Sequence, residues 1–114
     1  MIAVNKINDV IKLAQAKEDI YNKNADTPWI VLNSKLEQYL NGLTFDEVKS
    51  LQAIMYLGRD KDYDKDSTPQ EIHDSQVEYF DSLGWNTKEI EIDQMIGKVP
   101  FADYLINGKT IVGL

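Results

Sequence analysis

Residues 43–60, Leu43-Thr44-Phe45-Asp46-Glu47-Val48-Lys49-Ser50-Leu51-Gln52-Ala53-Ile54-Met55-Tyr56-Leu57-Gly58-Arg59-Asp60, decide the fold. Thr44 and Glu47 stand at the spacing of a capping box: the Thr44 hydroxyl accepts the Glu47 N–H, and the Glu47 carboxylate accepts the Thr44 N–H. Leu43 and Val48 bracket this start as a hydrophobic staple. Phe45, Val48, Leu51, Ile54, Met55 and Leu57 then recur with the period of a helix that buries one face. Gly58 reads as its end.

The same grammar extends in both directions. Val4, Ile7, Ile11 and Ala14, widened by Val10 and Leu13, predict a first helix over Asn5–Asn22. Asn22, Asn24, Asp26 and Pro28 predict a break. Pro28 suits the first turn of a second helix to Asn41, with Trp29, Leu32, Leu36, Tyr39, Leu40 and Leu43 on one face. Asn41-Gly42 stops it. Thr68-Pro69-Gln70-Glu71 repeats the capping box and opens a fourth helix, with Ile72, Gln76, Tyr79, Phe80 and Leu83 facing inward and Gly84 closing it.

After Asn86 or Thr87, residues 87–97 alternate Ile90 and Ile92 like a strand but also fit a helix through Ile92, Met95 and Ile96. The helix is favoured because no second strand is available to pair. Pro100 starts a last short helix with Phe101, Tyr104 and Leu105, closed by Asn107-Gly108. The tail KTIVGL either packs on the core or is offered to a partner. The expected fold is all-α, one compact domain over residues 1–114 with five to six helices. Trp29, Leu36, Leu40, Phe45, Leu51, Ile54, Met55, Tyr79, Phe80 and Leu83 are its expected core.

The chain has 114 residues, no cysteine and a net charge of −7. This length buries a core without cross-links, and the absence of cysteine excludes disulfides, thiolate metal sites and a Cys nucleophile. No stretch is apolar enough for a membrane span and no secretory signal is present, so no membrane association and a cytoplasmic location are expected. Clustered Lys and Arg are missing, which argues against direct nucleic-acid binding. The charge is lopsided: residues 1–58 sum to −1, whereas residues 60–93 sum to −8.

The sharpest local pattern is Asp60, Asp62, Asp64 and Asp66 with Glu71 at position 12, the spacing of an EF-hand calcium loop. Lys65 stands where that loop needs glycine, and Ser67 where it has a branched apolar residue. Glu71 also has the competing role of capping the fourth helix. No specific calcium site is expected, and a metal-stabilised or calcium-responsive module built on residues 60–71 is the alternative reading. His73 is the only histidine and reads as a surface residue, with no Ser or Cys nucleophile beside it in sequence, so no catalytic triad and no enzyme activity are expected. No phosphate-binding glycine motif is present, and no cofactor is expected.

A helix running into Leu57-Gly58-Arg59-Asp60, then an acidic stretch and another helix, then Tyr104-Leu105 and Gly108, resembles an uncharacterised bacterial family of small helical proteins, a domain of unknown function. The resemblance covers residues 30–108. That family often has tryptophan before the Leu-Gly-Arg, where this chain has Tyr56. It implies a mostly helical fold and no activity. In size and charge the chain also resembles phage inhibitors of the anti-CRISPR type. Together these features predict a non-catalytic protein that docks on a basic surface of a host or cognate protein. The contact residues expected are Asp60, Asp62, Asp64, Asp66, Asp74, Glu78 and Asp81, with Arg59 at the helix end. Asp74, Glu78 and Asp81 share one helix face by their spacing. Arg59 also suits a helix C-terminus, where a cation complements the dipole.

Overall fold

A computed structural model describes the backbone of residues 1–23 and 29–114, and the side chains of residues 1–20 and 29–114. It contains six helices: α1 (Val4–Lys23), α2 (Trp29–Asn41), α3 (Phe45–Asp60), α4 (Pro69–Leu83), α5 (Lys88–Ile96) and α6 (Phe101–Ile111). No strand occurs among the described residues. The break expected at 22–28 falls mostly outside them; Asn22 itself belongs to α1.

Helix starts follow the caps. Thr44 and Thr68 both form the full capping box, with Glu47 and Glu71 as the reciprocal partners. Thr87 caps α5 through the Ile90 N–H, which makes residues 88–96 helical. Tertiary contacts complete ends that the sequence leaves open. The Lys88 ammonium donates to the carbonyls of Asn41 and Leu43 at the end of α2, at 2.8 and 3.0 Å. Glu18 of α1 accepts the Ala102 N–H at the start of α6 at 3.1 Å. Proline at the cap position of α6 offers no side-chain acceptor of its own.

α3 is the centre. Its Val48, Leu51, Ala53, Ile54 and Met55 are fully buried, together with Ile7 and Val10 of α1, Leu36 and Leu40 of α2, Met95 of α5, and Leu105 of α6. α3 packs most extensively against α6, and two glycines account for the closeness of that crossing. A Cβ on Gly58 would stand 1.8 Å from the Tyr104 carbonyl oxygen, and one on Gly108 would stand 1.9 Å from that of Ile54. Both were expected to end helices. Both instead lie buried inside them, because each leaves room for the other helix's backbone. α3 therefore ends at Lys61, which adopts a left-handed conformation (φ 53°) and donates its N–H to Leu57. α6 continues to Ile111, and Val112 beyond it is buried, so the tail packs against the core.

The expected core is corrected at five positions. Leu36, Leu40, Leu51, Ile54 and Met55 are buried, whereas Trp29 is 44% exposed, Tyr79 58% and Leu83 65%, and Phe45 and Phe80 are half-buried. The cause for α4 is that it packs chiefly on one neighbour, α3. A helix with one neighbour buries a narrow stripe. Here that stripe runs through Ile72, His73, Gln76 and Phe80, leaving Tyr79 and Leu83 on the flank. Phe80 closes the seam against Tyr56 and Trp85, with ring centroids 5.1 and 5.7 Å away, and Trp85 meets Phe45 edge-on. No helix among the described residues is long and apolar enough to cross a membrane.

Candidate functional site

The acidic residues singled out by the sequence occupy the end of α3, the 61–68 loop and the outer side of α4. Asp60, Asp62, Asp64, Asp66, Asp74, Glu78 and Asp81 are all exposed, as is Arg59. The structure divides them by what else they hold. Asp60 is gripped by its neighbour: Arg59 Nε donates to it at 2.8 Å and a second guanidinium nitrogen at 3.3 Å, which raises the already high Arg59 pKa. The same guanidinium lies over the Tyr56 ring, 4.5 Å from its centroid. Asp64 shapes the loop by accepting from the Asp66 N–H and the Ser67 hydroxyl. Asp74 accepts from Gln70 and His73, and Asp81 accepts from the Trp85 indole. Asp62, Asp66 and Glu78 enter no ion pair among the described residues.

Between α3 and α4 these groups border a cleft of about 380 Å³, lined by Tyr56, Asp60, Asp62, Gln76 and Tyr79. Asp62 and Gln76 also line a smaller adjoining hollow of about 110 Å³ towards Tyr63 and Ser67. Two phenol rings beside two carboxylates have the chemistry that attracts a cation: ring faces draw positive charge and carboxylates pair with it. Arg59 on Tyr56 and Asp60 displays this geometry within the chain itself. Sequence reading missed both tyrosines. It assigned Tyr79 to the core, whereas its exposure beside Glu78 is the available signal.

The loop carboxylates do not form a metal cage. No group of three or more His, Asp or Glu side chains converges in a way that would hold a metal ion among the described residues. Glu71, the twelfth position of the calcium pattern, accepts the Thr68 N–H, and Asp64 is turned towards its own loop.

His73 requires the largest correction. It is buried, and Ser50 of α3 stands beside it, with Oγ 2.7 Å from Nε2. The opposite ring nitrogen, Nδ1, lies 2.9 Å from Asp74, and the Ser50 oxygen accepts the Ile2 N–H at 2.9 Å. The Asp74 carboxylate can only accept, so the bond to it is donated by Nδ1–H, while Ser50 Oγ, with two lone pairs and one proton, bridges the Ile2 N–H and Nε2. The His73 bond holds the Asp74 carboxyl below its ordinary value, assisted by Gln70. The Ser50–His73–Asp74 connectivity is that of a hydrolase triad, but neither Ser50 nor His73 lines either of the two hollows between α3 and α4. The arrangement ties the N-terminal segment, α3 and α4 together. Thirty-nine residues apart, Gln52 and Glu91 form a second buried pair at 2.9 Å, with the Asn86 N–H as the other donor to Glu91.

Compared with family models, curated proteins and solved structures, the chain matches none.

Proposed function

We propose that the protein is a non-catalytic binder of a basic protein surface, with the Tyr56–Tyr79 cleft receiving a Lys or Arg side chain of the partner. The observation that carries this reading is the cleft itself, lined by Tyr56 and Tyr79 and by Asp60 and Asp62, which belong to a segment of net charge −8. Arg59 already pairs with Asp60 over Tyr56, and Asp62 beside Tyr79 is in no ion pair among the described residues. Glu78 and Asp66 extend the negative rim, and Asp74 and Asp81 add charge while also holding His73 and Trp85. Carboxylates so arranged occupy cationic sites that otherwise hold phosphates. The specific form proposed is a phage or mobile-element inhibitor of a nucleic-acid-handling protein, of the anti-CRISPR type. Electrostatic steering speeds such encounters, and screening weakens them as salt rises.

The test is affinity capture with the wild type and with Asp62→Lys, Glu78→Lys, Tyr79→Ala combined. These three side chains are exposed and support no buried group, so the fold survives, as circular dichroism will check. The variant is expected to lose roughly tenfold or more in affinity for the captured partner, and wild-type binding is expected to fall with salt. A partner that binds both proteins equally excludes the acidic face as the contact.

A further inference from the structure

A second, larger cavity of about 730 Å³ opens between α1, α2, α5 and α6, on helices other than those of the proposed docking face. Its volume falls in the range of small-molecule sites. Trp29, Ile96 and Val99 give it apolar walls, and Val99 is 73% exposed. Each of the four helices or their flanks contributes one carboxylate: Glu18, Glu37, Asp93 and Asp103. Lys17 is the only cation among the described residues that line it, and these residues sum to a formal charge of −3.

These carboxylates are spread around the opening. They do not converge as a metal ion requires, since no three acidic or imidazole groups among the described residues form a metal-binding group. A ligand with several positive charges separated by apolar spacers matches that layout. The chain already seats one alkylammonium there: the Lys17 Nζ lies 4.9 Å from the Trp29 ring centroid. Burial pushes the Lys17 ammonium below its ordinary value, while Glu18 and Glu37 pull it upward. Glu18 and Glu37 each have one oxygen engaged, by the Ala102 N–H and the Asn33 amide. Asp93 and Asp103 are exposed and enter no ion pair among the described residues.

We infer that this cavity binds a linear aliphatic polyamine, its ammonium groups paired with Glu37, Asp93 and Asp103 and its methylene spans laid on Trp29, Ile96 and Val99. The affinity comes from multiple charge pairs combined with covered apolar surface. Lys17 competes for the Trp29 face and opposes the ligand's charge.

Isothermal titration of the full chain with spermidine at fixed ionic strength tests this. One-to-one saturable binding is expected. Asp93→Asn with Asp103→Asn is expected to weaken it at least tenfold, and Lys17→Met to tighten it severalfold. Asp62→Lys with Glu78→Lys, on the other face, is expected to leave it within twofold. Absence of saturable binding, unchanged binding in the Asp93/Asp103 variant, or loss of binding in Lys17→Met would overturn the assignment. Loss through the Asp62/Glu78 variant alone would move the polyamine to the acidic docking face, overturning this site and leaving the proposed function standing.

Discussion

At the scale of single residues, the same amino acid carries opposite instructions in different surroundings. Gly42 and Gly84 follow helices, as their sequence positions suggest, while Gly58 and Gly108 lie inside them. Nothing local separates the two pairs, because what reserves Gly58 is the Tyr104 backbone, 46 positions away. Gly58→Ala and Gly108→Ala would therefore each destabilise the fold by about 3 kcal/mol or more through overpacking, despite alanine's better helix propensity. Urea unfolding measures this, and a neutral Gly58→Ala would refute the close crossing. His73 gives the parallel lesson for polar groups. Its place at the start of α4 was legible, but its burial depends on Ser50 and Ile2, which only the tertiary fold brings to it.

At the scale of elements, helix starts were the most legible feature because a capping box is chemistry confined to four residues. Thr44 and Thr68 each perform it as written, while Thr87 supplies only the simpler half, accepting the Ile90 N–H. Inner faces were legible in proportion to the number of neighbours. α3 is covered on several sides and its periodic stripe is buried; Leu51→Ala is expected to cost about 2–4 kcal/mol by the same denaturation measurement. α4 has one main neighbour, and its broader apolar stripe overstates what is covered. That misreading concealed the candidate cleft, since Tyr79 was assigned to the interior. Glu47 adds a pH signature to the start of α3. The Lys6 ammonium, foremost, and the Thr44 N–H hold its carboxyl below the ordinary value of 4.5. Its contribution is present above that value and is lost as pH falls through the lower folded-state value. Glu47→Gln is expected to be less stable than wild type at neutral pH, with the gap closing under acid; a gap independent of pH would remove the ionic explanation.

At the scale of the molecule, extents of 46 × 27 × 22 Å describe an elongated body. The sequence fraction that carries most of the negative charge is the 61–68 loop, α4 and α5, next to nearly neutral α1–α3. Like charges gathered in this way repel in the folded state, so the melting temperature is expected to rise as sodium chloride is increased from about 10 mM to about 150 mM, where the screening length shortens from ~30 to ~8 Å. A melting temperature that falls over this range would mean that attractive pairs such as Lys6–Glu47 outweigh the repulsion. The α3–α6 crossing has a further consequence, in time. The two helices are separated by some 40 residues of chain. At ~5–20 residues per second, a ribosome needs roughly 2–8 s to make that interval. During those seconds the groove over Gly58 has no occupant and the apolar side of α3 faces the surrounding solution. The nascent protein thus passes through a sticky interval that lasts until α6 emerges.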